Sequence, residues 1–364
     1  MAVLTAPEPV AARSLRVVRI GLLGLGNVGQ AVARMAASAA PALREQGIAL
    51  SIECALVQDI AKPRRGPKPA RVTSNAEAFL RGRYDVVIDV LPSREPAATI
   101  VGRVLGKGTP VVSGNKILVA AEGRRLRRIA ARAGTTLRVE AAVIAGVPFI
   151  GAFERRPLAA DVTRFAGIVN GTSHFILTKI EEGVPFDAAV REAQRLGYAE
   201  PDPEADVAGR DALGKLTILT ETLLGVAIRP ASVSVEGIEA LTPADLAAAR
   251  RLGGAIKPVI FAERAGDLVN AFVGPAFVPA SHPLAGITGR DNAIAIDTCH
   301  NGRLLFAGPG AGPDVTAATL LDDAIEAAAG PSAHPFALRS RPAPLVTVRA
   351  PETPRFRQWP VLDV

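Results

Sequence analysis

Short runs of β-branched and aliphatic residues alternate along the chain with longer stretches whose apolar positions recur at helical spacing. The first run, Leu15-Arg-Val-Val-Arg-Ile-Gly-Leu-Leu23, breaks into Gly24-Leu-Gly26-Asn-Val-Gly29 and is followed by the Ala-rich, Pro-free stretch Gln30 to Ala40. That order reads as strand, tight turn and helix. Ile52-Glu-Cys-Ala-Leu-Val57, Asp85-Val-Val-Ile-Asp89 and Thr109-Pro-Val-Val-Ser113 predict three more strands with helix-like segments between them, and Leu137-Arg-Val-Glu140 predicts a last one. Strands alternating with helices imply a mostly parallel sheet. After Ala141 to Pro148 the rhythm changes, which puts a boundary near residue 150. Residues 1–14 then form a loose extension and 15–150 a first domain.

The second part alternates less regularly. A β-like Ile168-Val169 leads into Asn170-Gly171-Thr172, and a helix spans Phe186 to Leu196, with Ala189, Val190, Ala193 and Leu196 on one face and Gly197 closing it. A Pro/Asp-rich loop, Glu200 to Glu204, precedes a long apolar helix expected from Asp206 to Leu224. Leu241 to Leu252, strand-like Val259 to Phe261 and Val269 to Val273, and Gly308-Pro-Gly310-Ala-Gly312 follow, before a helix over Thr316 to Ala329. This divides the remainder into a second domain at 151–305, a segment at 306–330 and a tail at 331–364. The tail, rich in Pro and Arg, is expected to be poorly ordered.

Composition narrows the function classes. With 364 residues, of which 49% are hydrophobic and 21% charged, and a mean hydropathy of +0.25, the chain can bury roughly two apolar cores and is no disordered polymer. Its apolar runs are broken well before the length of about 20 residues that a membrane helix needs. Two cysteines, Cys54 and Cys299, make neither a disulfide framework nor a thiolate zinc site, and point to a reducing, cytoplasmic compartment. Met1 to Ser14 holds no apolar core of signal-peptide length. The net charge of +7 suits an anionic cofactor and fits nucleic acid only weakly, because aromatics are 4% of the chain. The basic cluster Arg124-Arg125-Leu-Arg127-Arg128 lacks interleaved aromatics and reads as a solvated helix face. His174, His282, His300 and His334 fall in no metal spacing, and neither cysteine has an activating signature.

Gly24, Gly26 and Gly29, between a strand and a helix that open a βαβ series, match the fingerprint in which backbone N–H groups meet a dinucleotide pyrophosphate. At the end of the second strand Asp59 favours NAD by holding a ribose diol, whereas Lys62, Arg64, Arg65 and Lys68 favour NADP by accepting a 2′-phosphate. The balance leans to NADP. Lys116 follows a strand's carboxyl end, where open α/β sheets bind ligands, but by position alone it is equally a surface lysine. Asp211 and Lys215 share one helical face, with Asp206 nearby. An exposed salt bridge is the commoner form of such a pair. The sharper reading is a lysine desolvated beside carboxylates, with a proton to donate.

Together these segments resemble homoserine dehydrogenase from about residue 17 to about residue 329. The resemblance rests on Gly24 to Gly29, Gly114-Asn115-Lys116, Glu140 to Pro148 and Gly167-Ile-Val-Asn-Gly-Thr-Ser-His-Phe-Ile-Leu-Thr178. Its most specific string is Leu196-Gly-Tyr-Ala-Glu-Pro-Asp-Pro-Glu-Ala-Asp-Val-Ala-Gly-Arg-Asp-Ala-Leu-Gly-Lys215. It implies an α/β fold, a Rossmann-type dinucleotide-binding domain plus an α+β catalytic and dimerisation domain, with 306–330 packing back on the first domain. The implied reaction is reversible NAD(P)H-dependent reduction of L-aspartate 4-semialdehyde to L-homoserine, in the branch toward threonine, methionine and isoleucine. Lys215 matches the proton donor and Lys116 the second lysine near the reacting oxygen and the cofactor. Glu200 and Asp211 match residues that hold the substrate, and Asp206 a supporting carboxylate. Asn27, Val28, Ser93, Gly197 and Gly312 match cofactor-side positions. Glu140, Val143, Ala145 and Val147 match positions whose oxygens surround a monovalent cation, usually sodium.

There are departures from the family pattern. Val143-Ile144-Ala145 replaces a Gly-rich turn, Asp89-Val-Leu-Pro-Ser93 replaces an acidic residue with paired glycines, and His174 stands where Asn is usual. The resemblance further implies a small-molecule substrate and a homodimer or homotetramer, with no nucleic acid or membrane partner. The 34 residues after Gly330 are too few for a full regulatory ACT domain, so a monofunctional enzyme is expected. Two alternatives are a related dehydrogenase acting on another amino-acid semialdehyde and a catalytically silent dinucleotide-binding protein.

Overall fold

Strand β1 (Arg16–Leu23) is buried along its carboxyl half, as a strand covered on both faces must be. In the computed structural model, which describes residues 15–154, 158, 160–330, 343–351, 355–356 and 358–362, it lies inside a six-stranded sheet. The other strands are β2 (Ile48–Leu56), β3 (Val72–Thr73), β4 (Val86–Asp89), β5 (Val111–Ser113) and β6 (Leu137–Arg138). The order is β3-β2-β1-β4-β5-β6 and every pairing is parallel. Helices α1 (Asn27–Ser38), α2 (Ala40–Glu45), α3 (Ala76–Leu80), α4 (Ala97–Gly106) and α5 (Lys116–Arg132) connect them. The order reverses between β1 and β4, which opens a crevice at their carboxyl ends. This is the predicted Rossmann-type arrangement.

After a short helix, α6 (Ile150–Glu154), the chain builds a second, mixed sheet of order β12-β11-β7-β9-β10-β13. Its strands are β7 (Val162–Ile168), β9 (Gly254–Ala265), β10 (Leu268–Pro279), β11 (Asp291–Thr298), β12 (Gly302–Pro309) and β13 (Thr347–Arg349), with β8 (Ser234–Val235) on β10. Helices α7 (Gly171–Glu181), α8 (Phe186–Arg195), α9 (Glu204–Val207), α10 (Arg210–Leu219) and α11 (Pro243–Arg251) accompany it. Leu118 and Leu126 of α5 and Leu216 and Leu219 of α10 belong to one buried cluster, so the two sheets share a core. No helix among the described residues is long and apolar enough to cross a membrane.

Four expectations need correction. The single helix expected over Asp206 to Leu224 is broken at Gly209, whose φ of +78° is left-handed, and its last turn, Thr220–Leu224, is π-helical. Apolar periodicity carries no signal for that break. Strands β9 and β10 far outrun their apolar centres, because polar residues such as Glu263 and Asn270 continue the ladder. The Arg124–Arg128 face is not simply solvated, since Arg124 donates to the Ala343 carbonyl at 3.0 Å and Arg127 to Thr222 Oγ1 at 3.1 Å. The tail is partly built. Thr347–Arg349 extends the second sheet, Phe356 of β14 (Arg355–Phe356) stacks at 6.4 Å on Trp359 of β15 (Trp359–Pro360), and Trp359 and Leu362 are each 2% exposed. Its Pro/Arg composition hid these apolar anchors. Residues 1–14 and 331–342 lie outside the described residues.

Helix α12 (Pro313–Ala328) follows the second sheet in sequence and packs on the first. Ala317, Leu320, Leu321, Ala324 and Ala327 share a core with Val18, Ile20 and Leu22 of β1 and Ala31 and Val32 of α1. Leu320 is completely buried there, so Leu320→Ala should lower stability to urea by about 2–5 kcal/mol. A change under about 1 kcal/mol would mean that α12 does not close this core.

Candidate active site

At the end of β1 the backbone turns through Gly24, with φ +97°, where a Cβ would lie 3.0 Å from the Val90 carbonyl oxygen. A side chain at Gly29 would collide with the Gly24 carbonyl. The turn therefore requires glycine at both positions. Gly26 is the N-cap of α1, has open space around its Cα and provides no side-chain cap. The first N–H groups of the helix, at Asn27, Val28 and Gly29, thus face the crevice without a side-chain acceptor, which fits a pyrophosphate.

The loop after β2 leans over this turn. Arg64 donates to the carbonyls of Leu25 at 3.2 Å, Lys62 at 2.9 Å and Asp59 at 2.7 Å. The Asp59 carboxylate accepts from the Ala61 N–H at 2.7 Å and so closes its own turn. Lys62 is exposed beside them. Ser93 follows β4 and donates to the Glu95 carbonyl at 2.7 Å. Gly197 ends α8, and Gly312 is the N-cap of α12.

The two lysines come from different elements and meet on one carboxylate. Asn115 caps α5 by accepting from the Leu118 N–H at 3.0 Å, and this sets Lys116 at the first position of the helix. Behind the cap, Ser113 Oγ accepts from the Asn115 N–H at 3.1 Å and donates to Asp89 Oδ2 at 2.9 Å. Burial pushes the Asp89 carboxyl up to about 6, against the hydrogen bonds it accepts. Lys116 Nζ pairs with Asp211 Oδ1, and its stem runs beside Gly214 on α10. Lys215 Nζ lies 3.1 Å from Asp211 Oδ2 and donates to the Val169 carbonyl at 2.5 Å.

Asp211 and Lys215 are each 9% exposed, so this is no surface salt bridge. Burial pushes Lys215 down to about 8, against the pull of Asp206. Lys116 is also pushed down to about 8, first by burial and then by the Lys215 ammonium, while Asp206 and Glu200 pull the other way. Two coupled lysines therefore lose a proton near neutral pH rather than near the ordinary lysine value.

One residue the sequence reading left without a role stands among these. Asn170 Nδ2 donates to Asp206 Oδ1 at 2.7 Å and to Asp211 Oδ2 at 2.9 Å. The available signal was its place in the Asn-Gly-Thr string, which has N-cap chemistry but does not predict two carboxylate partners. The structure thus brings together Lys116, Asp206, Asp211 and Lys215, with Glu200 exposed nearby. Glu140, Val143, Ala145 and Val147 are buried in a separate turn, where Glu140 Oε1 and Oε2 accept from the Ile150 and Gly151 N–H groups at 2.7 and 3.1 Å. His174 is a core residue. Its Nδ1 meets the Asp291 carbonyl at 3.0 Å, and burial pushes the imidazole down to about 4.

Known proteins resemble this chain in sequence and fold. Residues 24–140 match the family described as "Homoserine dehydrogenase, NAD binding domain", and residues 148–325 match "Homoserine dehydrogenase". The chain is 38% identical over 320 residues to the homoserine dehydrogenase of Corynebacterium glutamicum, covering 85% of this chain and 72% of that one. It is similar in structure to a homoserine dehydrogenase from Thiobacillus denitrificans, with a TM-score of 0.82 at 31% identity over 93% of this chain and 80% of that one. A hyperthermophilic archaeal homoserine dehydrogenase in complex with NADPH gives a TM-score of 0.73 at 26% identity, covering 89% of this chain and all of that one. Fold and site define an NAD(P)-dependent oxidoreductase acting on a CH–OH group. Within that class, the chain belongs to the homoserine dehydrogenase family.

The shared carboxylate generates a prediction. Asp211→Asn leaves both ammonium groups without their common counter-charge, so the neutral forms gain and lysine deprotonation moves below about 8. Acetic anhydride labelling of Lys116 and Lys215 against pH, read by mass spectrometry, should show the shift. Unchanged labelling midpoints would refute the sharing.

Proposed function

We propose that Lys215 is the proton-transferring group in the reversible reduction of L-aspartate 4-semialdehyde to L-homoserine, with Lys116 as its electrostatic partner. The observation that carries this is the commitment of Lys215: an ammonium has three N–H donors, and two are directed at the Val169 carbonyl and Asp211. The third position of Nζ is left for a substrate oxygen, as an N–H when charged and as a lone pair when neutral. The nicotinamide, when bound, supplies a hydride to the aldehyde carbon or takes one from the alcohol carbon. Lys215 Nζ gives its proton to the developing alkoxide in reduction and takes the hydroxyl proton in oxidation. Glu200 and Asp211 offer carboxylates to the substrate ammonium, with Asp206 in support.

Gly24, Gly26, Asn27, Val28 and Gly29 would hold the pyrophosphate, and Ser93, Gly197 and Gly312 would line the cofactor. NADP is favoured over NAD, because Arg64 and Lys62 place positive charge beside the glycine turn, where a 2′-phosphate would lie. For a monovalent cation such as sodium, the carbonyls of Glu140, Val143, Ala145 and Val147 would supply the hard-oxygen donors. The Ala145 carbonyl already accepts from Thr319 and the Glu140 carbonyl from the Val143 N–H, which leaves each a second lone pair. Replacing sodium by choline should then lower the thermal unfolding temperature, and no change would remove the cation from the account. A homodimer or homotetramer, a cytoplasmic location and a place in the branch toward threonine, methionine and isoleucine complete the reading.

Lys215→Ala should lower kcat for L-homoserine oxidation by at least about a hundredfold while NADP affinity measured by fluorescence stays within about twofold. Undiminished turnover would defeat the assignment of the donor.

A further inference from the structure

Asn170 stands where β7, α7 and the α9–α10 corner meet, and it is 7% exposed. Its Oδ1 accepts from the Ser173 N–H at 2.8 Å and caps α7. Its Nδ2 has two N–H groups, and each has its own carboxylate, Asp206 at 2.7 Å and Asp211 at 2.9 Å. Two carboxylates within reach of one nitrogen repel each other strongly where water is excluded. A neutral amide that donates to both offsets that repulsion without adding charge. Asp211 Oδ2 is thereby held between Asn170 and Lys215, and this turns Oδ1 toward Lys116.

We propose that Asn170 is a positioning residue for the proton-transfer site: its amide fixes the Asp211 carboxylate between Lys116 and Lys215 and tethers Asp206 beside it. This rests on the reading of Lys215 as the proton-transferring group. The preceding carbonyl, Val169, receives Lys215 Nζ, so consecutive residues of one segment place both the lysine and its counter-ion. Aspartate at this position would add a third anion, and serine, with one short O–H, could not serve both carboxylates.

Both of those residues cap a helix about as well as asparagine, so Asn170→Ser and Asn170→Asp keep the start of α7 and isolate the bridge. The measurements are kcat and KM for L-homoserine across pH, NADP binding and thermal unfolding on the full chain. In the serine variant kcat/KM should fall at least about tenfold with NADP affinity within about twofold of wild type. The rise of oxidation with pH should move upward, because carboxylates stripped of a donor hold the lysine protons more tightly. The aspartate variant should show a larger loss and a further upward shift. A serine variant with wild-type kcat/KM and an unmoved pH rise would overturn the proposal. Loss of NADP binding or of the folded state in both variants would make Asn170 a folding residue and overturn it equally. A wild-type protein that oxidises no homoserine would refute the reading of the site itself, whatever the variants do.

Discussion

One carboxylate serving two lysines is the constraint on which the site depends. Asp211, Lys116 and Lys215 converge from α10 and α5, and burial makes two ammonium groups with one shared counter-ion expensive to keep charged. A conventional ion pair would hold its proton far above neutral pH. Desolvation, joined at Lys116 by the neighbouring Lys215 ammonium, brings the lysines into the range where they can give and take protons, against the pull of Asp206.

The fold is arranged around that junction. Lys116 is held by the N-cap of α5, which is tied through Ser113 to Asp89 at the carboxyl end of β4, so the first sheet fixes one lysine. The second sheet fixes the other through the Val169 carbonyl at the end of β7. The left-handed Gly209 breaks what would be one helix, and the corner brings Asp206 and Asp211 to the same amide of Asn170. Helix α12 then returns to the first sheet, so neither half is a free module.

Much of this was legible in the sequence, and the limits have physical causes. The glycine turn announced itself because Gly24 and Gly29 occupy positions where a Cβ has no room. The four-residue spacing of Asp211 and Lys215 predicts a shared face, but spacing carries no information about burial, so by spacing alone the surface pair is the better reading and the structure overturns it. The meeting of Lys116 with Asp211 is a tertiary contact between the two sheets' helices, and no local pattern encodes it. The family resemblance, rather than periodicity, brought those residues together in advance. Asn170 stands in the sequence only as part of the Asn-Gly-Thr string, and its bridge has no local signal, since it depends on the Gly209 corner. The order in the tail is hidden in the sequence because Pro and Arg dominate its composition while Phe356, Trp359 and Leu362 do the packing.

The central claim is that buried, coupled lysines run the chemistry near neutral pH. It is tested most directly by following kcat for L-homoserine oxidation with NADP, and with NAD in parallel, across pH. With Lys215 as the proposed proton acceptor, oxidation draws on the neutral amine, so kcat should rise with pH through about 8 and level off above it, and aldehyde reduction should fall over the same range. A rise centred near the ordinary lysine value of about 10.4, or a rate indifferent to pH, would contradict the account.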